Sequence, residues 1–189
     1  MKQFAAFSLS ALALSACGSP PGSSVREGSF TGSVAGYPLY VVESAFTTTG
    51  QSLEHPAYTV IMFSDRRGLC NGSQTEHFGM NLTYLHVDLF TRGWVAAPVP
   101  QGTHNLNTED SITGSAQFSK RDDRCQFAPG TNPVSSTDGS VVVESIRAEP
   151  GGSVRGSFDI TMRSGDRITG EFDAPYCAGS SLPSSFNCR

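Results

Sequence analysis

From Ser29 onward, glycine and proline punctuate the chain so closely that no amphipathic helix of ordinary length can be drawn between them, which excludes most helical and α/β architectures. The stretches between breakers are rich in β-branched and aromatic residues, which pack well on a pleated surface. Strands are expected at residues 29–34, 39–46, 58–63, 81–90, 102–106, 112–119, 140–148, 153–162 and 167–174. Longer loops are expected at 65–74, 97–101 and 121–138, with a tail after Pro175.

The last two strands carry the clearest pattern. Val154, Phe158, Ile160 and Met162 alternate with Arg155, Ser157, Asp159 and Thr161. After the turn residues 163–166, Ile168 and Phe172 continue the apolar side, and Arg167, Thr169, Glu171 and Asp173 the polar one. This is an antiparallel hairpin with one solvated face. Gly156 and Gly170 fall on the inward side, where each implies a bulge or a close approach by another side chain. Residues 39–42 and 141–143 are apolar at consecutive positions, as expected of a strand covered on both faces or bulged at an edge. Many short strands without helical crossovers favour an all-β fold, an antiparallel β-sandwich of about eight or nine short strands. A closed barrel similar to the lipocalins is the alternative.

The N-terminus has the order of a secretory signal: Lys2, an apolar stretch at residues 4–13, then the small residues Ser15 and Ala16. That stretch is too short to remain as a membrane-spanning helix. Leu14-Ser15-Ala16-Cys17 resembles the lipobox of bacterial lipoproteins, in which the cysteine is lipidated and becomes the first mature residue. The resemblance implies cleavage after residue 16 and anchoring in the membrane through several acyl chains on Cys17. Gly18 follows the cysteine where aspartate commonly marks inner-membrane retention, so the same resemblance implies the outer membrane. Residues 18–27 have the composition of a flexible tether. The expected organisation is a signal peptide at 1–16, a lipidated cysteine and tether at 17–27, and a single all-β domain at 28–189. Without Lys2 the mature chain has 12 basic and 17 acidic residues, a net charge of −5 without runs of like charge. That balance gives no reason to expect a nucleic-acid partner.

Cys70, Cys125, Cys177 and Cys188 are an even set in a chain bound for an oxidising compartment, which reads as two disulfides. Their wide spacing does not fit a zinc site. Of three possible pairings, Cys70 with Cys125 is favoured because it joins two long loops, and Cys177 with Cys188 because it closes the tail on itself.

The ending Gly156-Ser157-Phe158-Asp159-Ile160-Thr161-Met162, with Gly170-Glu171-Phe172-Asp173-Ala174-Pro175-Tyr176-Cys177, resembles the terminus of uncharacterised lipoproteins of large-genomed predatory bacteria. That likeness implies compartment and fold but supplies no site.

Catalytic and metal-binding residues are not marked by any local motif. The strings Gly32-Ser33-Val34-Ala35-Gly36 and Gly151-Gly152-Ser153 are not followed by a helix and read as turns rather than a hydrolase elbow. His55, His77, His86 and His104 lack metal-ligand spacing, and His86 is expected on the face of its strand opposite Leu85, Val87 and Leu89. Glu109-Asp110 and Asp122-Asp123 lack the pattern of a calcium loop and read as solvated loop charge. Trp94, the single tryptophan, is read as packing, with stacking on a sugar or partner as the sharper alternative. The sequons at Asn71 and Asn81 carry no weight in a bacterial lipoprotein. The expected role is a non-enzymatic, cofactor-free binding or structural module in the cell envelope. Its partners would be the membrane, through Cys17, and another envelope protein, a glycan or a small ligand. A hydrolase whose site is assembled from distant residues and a barrel carrying a hydrophobic ligand are the alternatives.

Overall fold

The computed structural model describes residues 28–49, 57–70, 78–91 and 98–178, together with Leu182, Phe186 and Cys188. The described residues form strands and no helix. In chain order these are β1 (Ser29–Thr31), β2 (Ser33–Val34), β3 (Tyr37–Pro38), β4 (Glu43–Thr49), β5 (Tyr58–Ser64), β6 (Thr83–Thr91), β7 (Gly102–Asn105), β8 (Ile112–Lys120), β9 (Val134–Ile146), β10 (Ser153–Met162) and β11 (Arg167–Pro175). The strands pair antiparallel in the order β1-β11-β10-β9-β8-β6-β5-β4, with β7 also beside β9 and β2–β3 a separate ribbon. Most sheet neighbours are chain neighbours, as short connections between antiparallel strands require.

The sheet curls strongly into a half barrel. β8 and β9 share only the pairs Gln117↔Ser135 and Phe118↔Val134, and the sheet turns its corner at that short seam. One arm is β4-β5-β6-β8; the other is β9-β10-β11-β1 with β7 alongside. Their inner faces contribute to a single core, as in a sandwich, although hydrogen bonding continues from one arm to the other. At the far side Tyr176 bridges to Phe46, and the Cys177 N–H donates to the Phe46 carbonyl at 2.8 Å.

Rings hold the arms together. Phe63 of β5 lies 5.4 Å from the Phe158 ring and 5.8 Å from the Phe172 ring, edge-on to the latter. The β10–β11 hairpin has the alternation and turn read from the sequence, with Phe158 opposite Gly170 and Phe172 opposite Gly156. Each ring therefore has a glycine as its cross-strand neighbour. A Cβ on Gly170 would press into the Phe158 ring and the Ser29 carbonyl, and one on Gly156 into the Phe172 ring and the Val142 carbonyl. The β9 register also shifts between Arg155 and Gly156, so the bulge and the close approach coincide there.

The strand expected at 29–34 is divided into β1 and β2, β3 was not expected, and strand limits differ most at two further places. Residues 39–42 are not strand; Leu39 is buried in the core from a loop, and the strand expected there starts at Glu43 and runs to Thr49. β9 starts at Val134, inside an expected loop, because Val134 pairs with Phe118 and supplies the seam. Its Gly139, with φ at 129°, sits against the Asp159 carbonyl where a side chain has no room.

The disulfide pairing also differs. Cys70 joins Cys177 and Cys125 joins Cys188, with Cα separations of 5.3 and 5.9 Å, so neither Cys70–Cys125 nor Cys177–Cys188 forms. The reason is topological. β11 ends against the middle of β4, which brings Cys177 to the loop leaving β5, and Cys188 then reaches the β8–β9 loop. The bridges span 107 and 63 residues. In the chain-entropy model, whose basis is disputed, spans of this size are worth about 4.8 and about 4.3 kcal/mol.

A second cluster covers the outward face of β4, β5 and β6. Ala45, Val60, Met62, Leu82 and Tyr84 meet Leu69, Phe78, Cys177, Leu182 and Phe186, so β5 is buried on both faces.

Phe158→Ala or Phe172→Ala is expected to cost about 3–5 kcal/mol in denaturant unfolding, because each leaves a cavity at the contact between arms. Thr161→Ala and Thr169→Ala, on the outward face, are expected to cost less than about 1 kcal/mol.

Candidate functional site

Of the histidines and acidic pairs named from the sequence, the structure describes His86, His104, Glu109-Asp110 and Asp122-Asp123, on four different elements or loops. His86 and Asp88 share the outward face of β6, with His86 Nε2 at 3.2 Å from Asp88 Oδ1 but not aligned for a hydrogen bond. That nitrogen has no hydrogen-bond partner among the described residues. His104 is buried on β7, its Nε2 lying 2.8 Å from the Pro100 carbonyl oxygen, where it pins the chain entering that strand. Among the described residues no group of three or more histidine, cysteine or acidic side chains is placed to hold a metal ion. Cys17, His55, Asn71, His77 and Trp94 lie outside the described residues.

The acidic pairs have structural work that the sequence did not reveal. Asp122 Oδ1 accepts the N–H groups of Arg124 and Gln126 at 2.9 and 2.8 Å, which shapes the loop bearing Cys125. Asp110 accepts hydrogen bonds from Asn105 at 3.3 Å and from the Thr108 hydroxyl at 2.9 Å, organising the β7–β8 turn. Glu109 and Asp123 are exposed. Asn81 is an exposed turn residue with φ at 51°. The glycine strings both lie at turns leading into strands, the first forming the β2–β3 ribbon.

What the fold does assemble is a charged outer face on β9, β10 and β11. Arg155 Nε lies 3.5 Å from Asp173 Oδ2 across the β10–β11 pair. Arg167 grips Asp159 with both ends of its fork, and those hydrogen bonds, with the added charge, hold the Asp159 carboxyl below its ordinary value of 3.8. Both pairs are open to water, where such pairs contribute little to stability. At one end of this face lies an open cleft of about 260 Å³. Ser29, Glu144, Arg155, Glu171 and Asp173 line it, with Gly156 and Phe172 at its floor. Arg155 is held by Asp173, while Glu144 and Glu171 make no ion pair with any described residue. The cleft thus carries an excess of carboxylate that attracts cationic groups and accepts hydrogen bonds.

Its residues come from three sources in the chain. β1 brings Ser29 beside Glu171, the β9 irregularity projects Glu144, and the hairpin supplies the rest. Alternation placed Arg155, Glu171 and Asp173 outward; Glu144 could not be placed without knowing the register shift. Tyr40 is a further feature that the pattern hid, since the strand expected at 39–46 gave it no special exposure. It stands 76% exposed in the loop between β3 and β4.

No protein-family model matches the chain, and no curated protein or solved structure matches it.

Asp166 provides a test of how the charged face is tied to the rest. Its carboxylate accepts the Ser164 hydroxyl at 2.7 Å and the Ala35 N–H at 2.8 Å, joining the β10–β11 turn to the β2–β3 ribbon. Both bonds, the Ser164 one first, hold its carboxyl below 3.8. A depressed folded value contributes stability that is complete above the unfolded value and is lost as pH falls through the folded one. Asp166→Asn is therefore expected to lower stability at pH 7 and to flatten the loss between about pH 5 and about pH 2, as read from denaturant midpoints across that range.

Proposed function

We propose that the protein is an outer-membrane lipoprotein, anchored through a lipid on Cys17, whose all-β domain is a non-enzymatic binding module held off the membrane by a tether. The acid-rich cleft between β1, β9, β10 and β11 carries this reading: a rigid sheet presents uncompensated carboxylates in a concave site. Such a cleft selects a partner with lysine or arginine side chains, so an envelope protein with a basic surface is the partner of choice. Two disulfides suit a domain kept in an oxidising compartment. The packing of Phe46, Phe63, Phe118, Phe158 and Phe172 in the core between the arms supports a surface-binding module over a carrier of a hydrophobic ligand. The lipobox and the residues after it supply the anchor and the tether in this reading.

Radiolabelled palmitate is expected to enter the wild type and not Cys17→Ser, which is expected to leave the membrane fraction. In native membranes, chemical crosslinking is expected to capture an envelope protein with the wild type and to lose it with the double variant Glu144→Lys/Glu171→Lys, with binding weakened by salt. Palmitate-free wild type still fractionating with the outer membrane would refute the anchor. Turnover of an ester, peptide or glycoside substrate by the purified domain, abolished by one substitution that leaves the fold intact, would refute the binding-module reading.

A further inference from the structure

The two disulfides stand in different surroundings. Cys177 is buried within the outer cluster, and Cys70 packs against the same cluster. Cys70, Cys125 and Cys188 are each half-buried and Cys177 is fully buried, so both cysteines of the Cys125–Cys188 bridge are partly open to solvent but only one of the other. Cys125 also has φ at 61°, a left-handed conformation that a side chain with a Cβ adopts only at a cost. The Asp122 loop imposes it, the Cys125 N–H donating to the Asp122 carbonyl at 3.1 Å. Arg121 Nη1 lies 3.0 Å from Cys188 Sγ and 3.8 Å from Cys125 Sγ. A guanidinium so close favours the thiolate that departs when a disulfide is opened.

The same residues fasten the tail. Arg121 Nη1 donates to the Phe186 carbonyl at 3.2 Å. The Phe186 ring packs edge-on to Tyr84 at 4.7 Å and against Phe78 at 5.4 Å, with Leu182 in the same cluster. None of these side chains belongs to the core between the arms, so their separation leaves that core closed.

The geometry points to Cys125–Cys188 as a thiol–disulfide exchange site that fastens the C-terminal tail over the outer cluster, with a dithiol as its reaction partner. A thiolate of the dithiol attacks Cys125 Sγ, and the electron pair of the Cys125–Cys188 bond leaves on Cys188 Sγ beside Arg121. The mixed disulfide at Cys125 is then attacked by the second thiol of the reagent, which gives its proton to solvent and expels the Cys125 thiolate. The reagent ends as a disulfide, and its two electrons reside on the separated cysteines. Cys177 stays bonded to Cys70, so only the part of the tail beyond it is released.

The full-length lipoprotein, purified in detergent, is treated with graded dithiothreitol, quenched with an alkylating reagent and mapped by peptide mass. Cys125 and Cys188 are expected to label at least about tenfold faster than Cys70 and Cys177. Amide exchange around Phe78 and Tyr84 is expected to rise at the same time, while β9 and β10 keep their protection. Arg121→Gln is expected to slow the opening, and Arg121→Lys to restore part of the rate. The double variant Cys125→Ser/Cys188→Ser provides the reference for the open state, and its exchange map is expected to match that of the selectively reduced wild type. Free thiols at both positions before treatment, equal or reversed labelling of the two pairs, an unchanged rate in Arg121→Gln, or protection around Tyr84 that survives the opening would each overturn the assignment.

Discussion

The packing of Phe63 against Phe158 and Phe172 is the contact on which the two arms of the sheet depend. The half barrel is joined by two residue pairs at its corner and by the Phe46–Tyr176 bridge and the Cys70–Cys177 disulfide at its far side, and between those junctions the arms are held by side chains meeting across the core. Rings of this size bring a large apolar area into the space between the arms, and the glycines opposite Phe158 and Phe172 leave room for them to lie across the hairpin. The two inward glycines therefore belong to the aromatic contact rather than weakening the strands that carry them.

A consequence of the curl is that the two faces of β5 serve different purposes. Ile61 and Phe63 close the core, while Val60 and Met62 support an outer cluster made with loops and tail. The outer cluster is held by two covalent bridges and by Arg121, so stability there depends on redox state in a way that stability of the core does not. On the other arm, β9, β10 and β11 turn a charged face to water and form the acid-rich cleft. The two disulfides thus reinforce one arm, while the acid-rich cleft, the candidate binding surface, lies on the other.

Much of this was legible in the sequence, for physical reasons that differ by element. The β10–β11 hairpin was read with its inward and outward residues because a solvated antiparallel strand repeats every two residues. The segment at 39–42 was misread because consecutive apolar residues suit a doubly covered strand as well as a loop that drops Leu39 into the core and leaves Tyr40 outside. Disulfide partners depend on where β11 ends relative to β4, a long-range relation with no local signal, and loop proximity in sequence was a poor guide to it. Of the candidate cleft, Arg155, Glu171 and Asp173 were placed on the outward face by alternation, but their meeting with Glu144 and Ser29 required the sheet order and the irregularity in β9.

The most direct test of the central claim is a double-mutant cycle between the arms, with Phe63→Ala and Phe172→Ala measured singly and together by denaturant unfolding. If their rings join the two arms, the cycle gives a favourable coupling of about 0.5–1.5 kcal/mol, the pair costing less than the sum of the single changes. Strictly additive losses, with a coupling of about zero, would contradict the account, because each ring would then be stabilising its own arm alone.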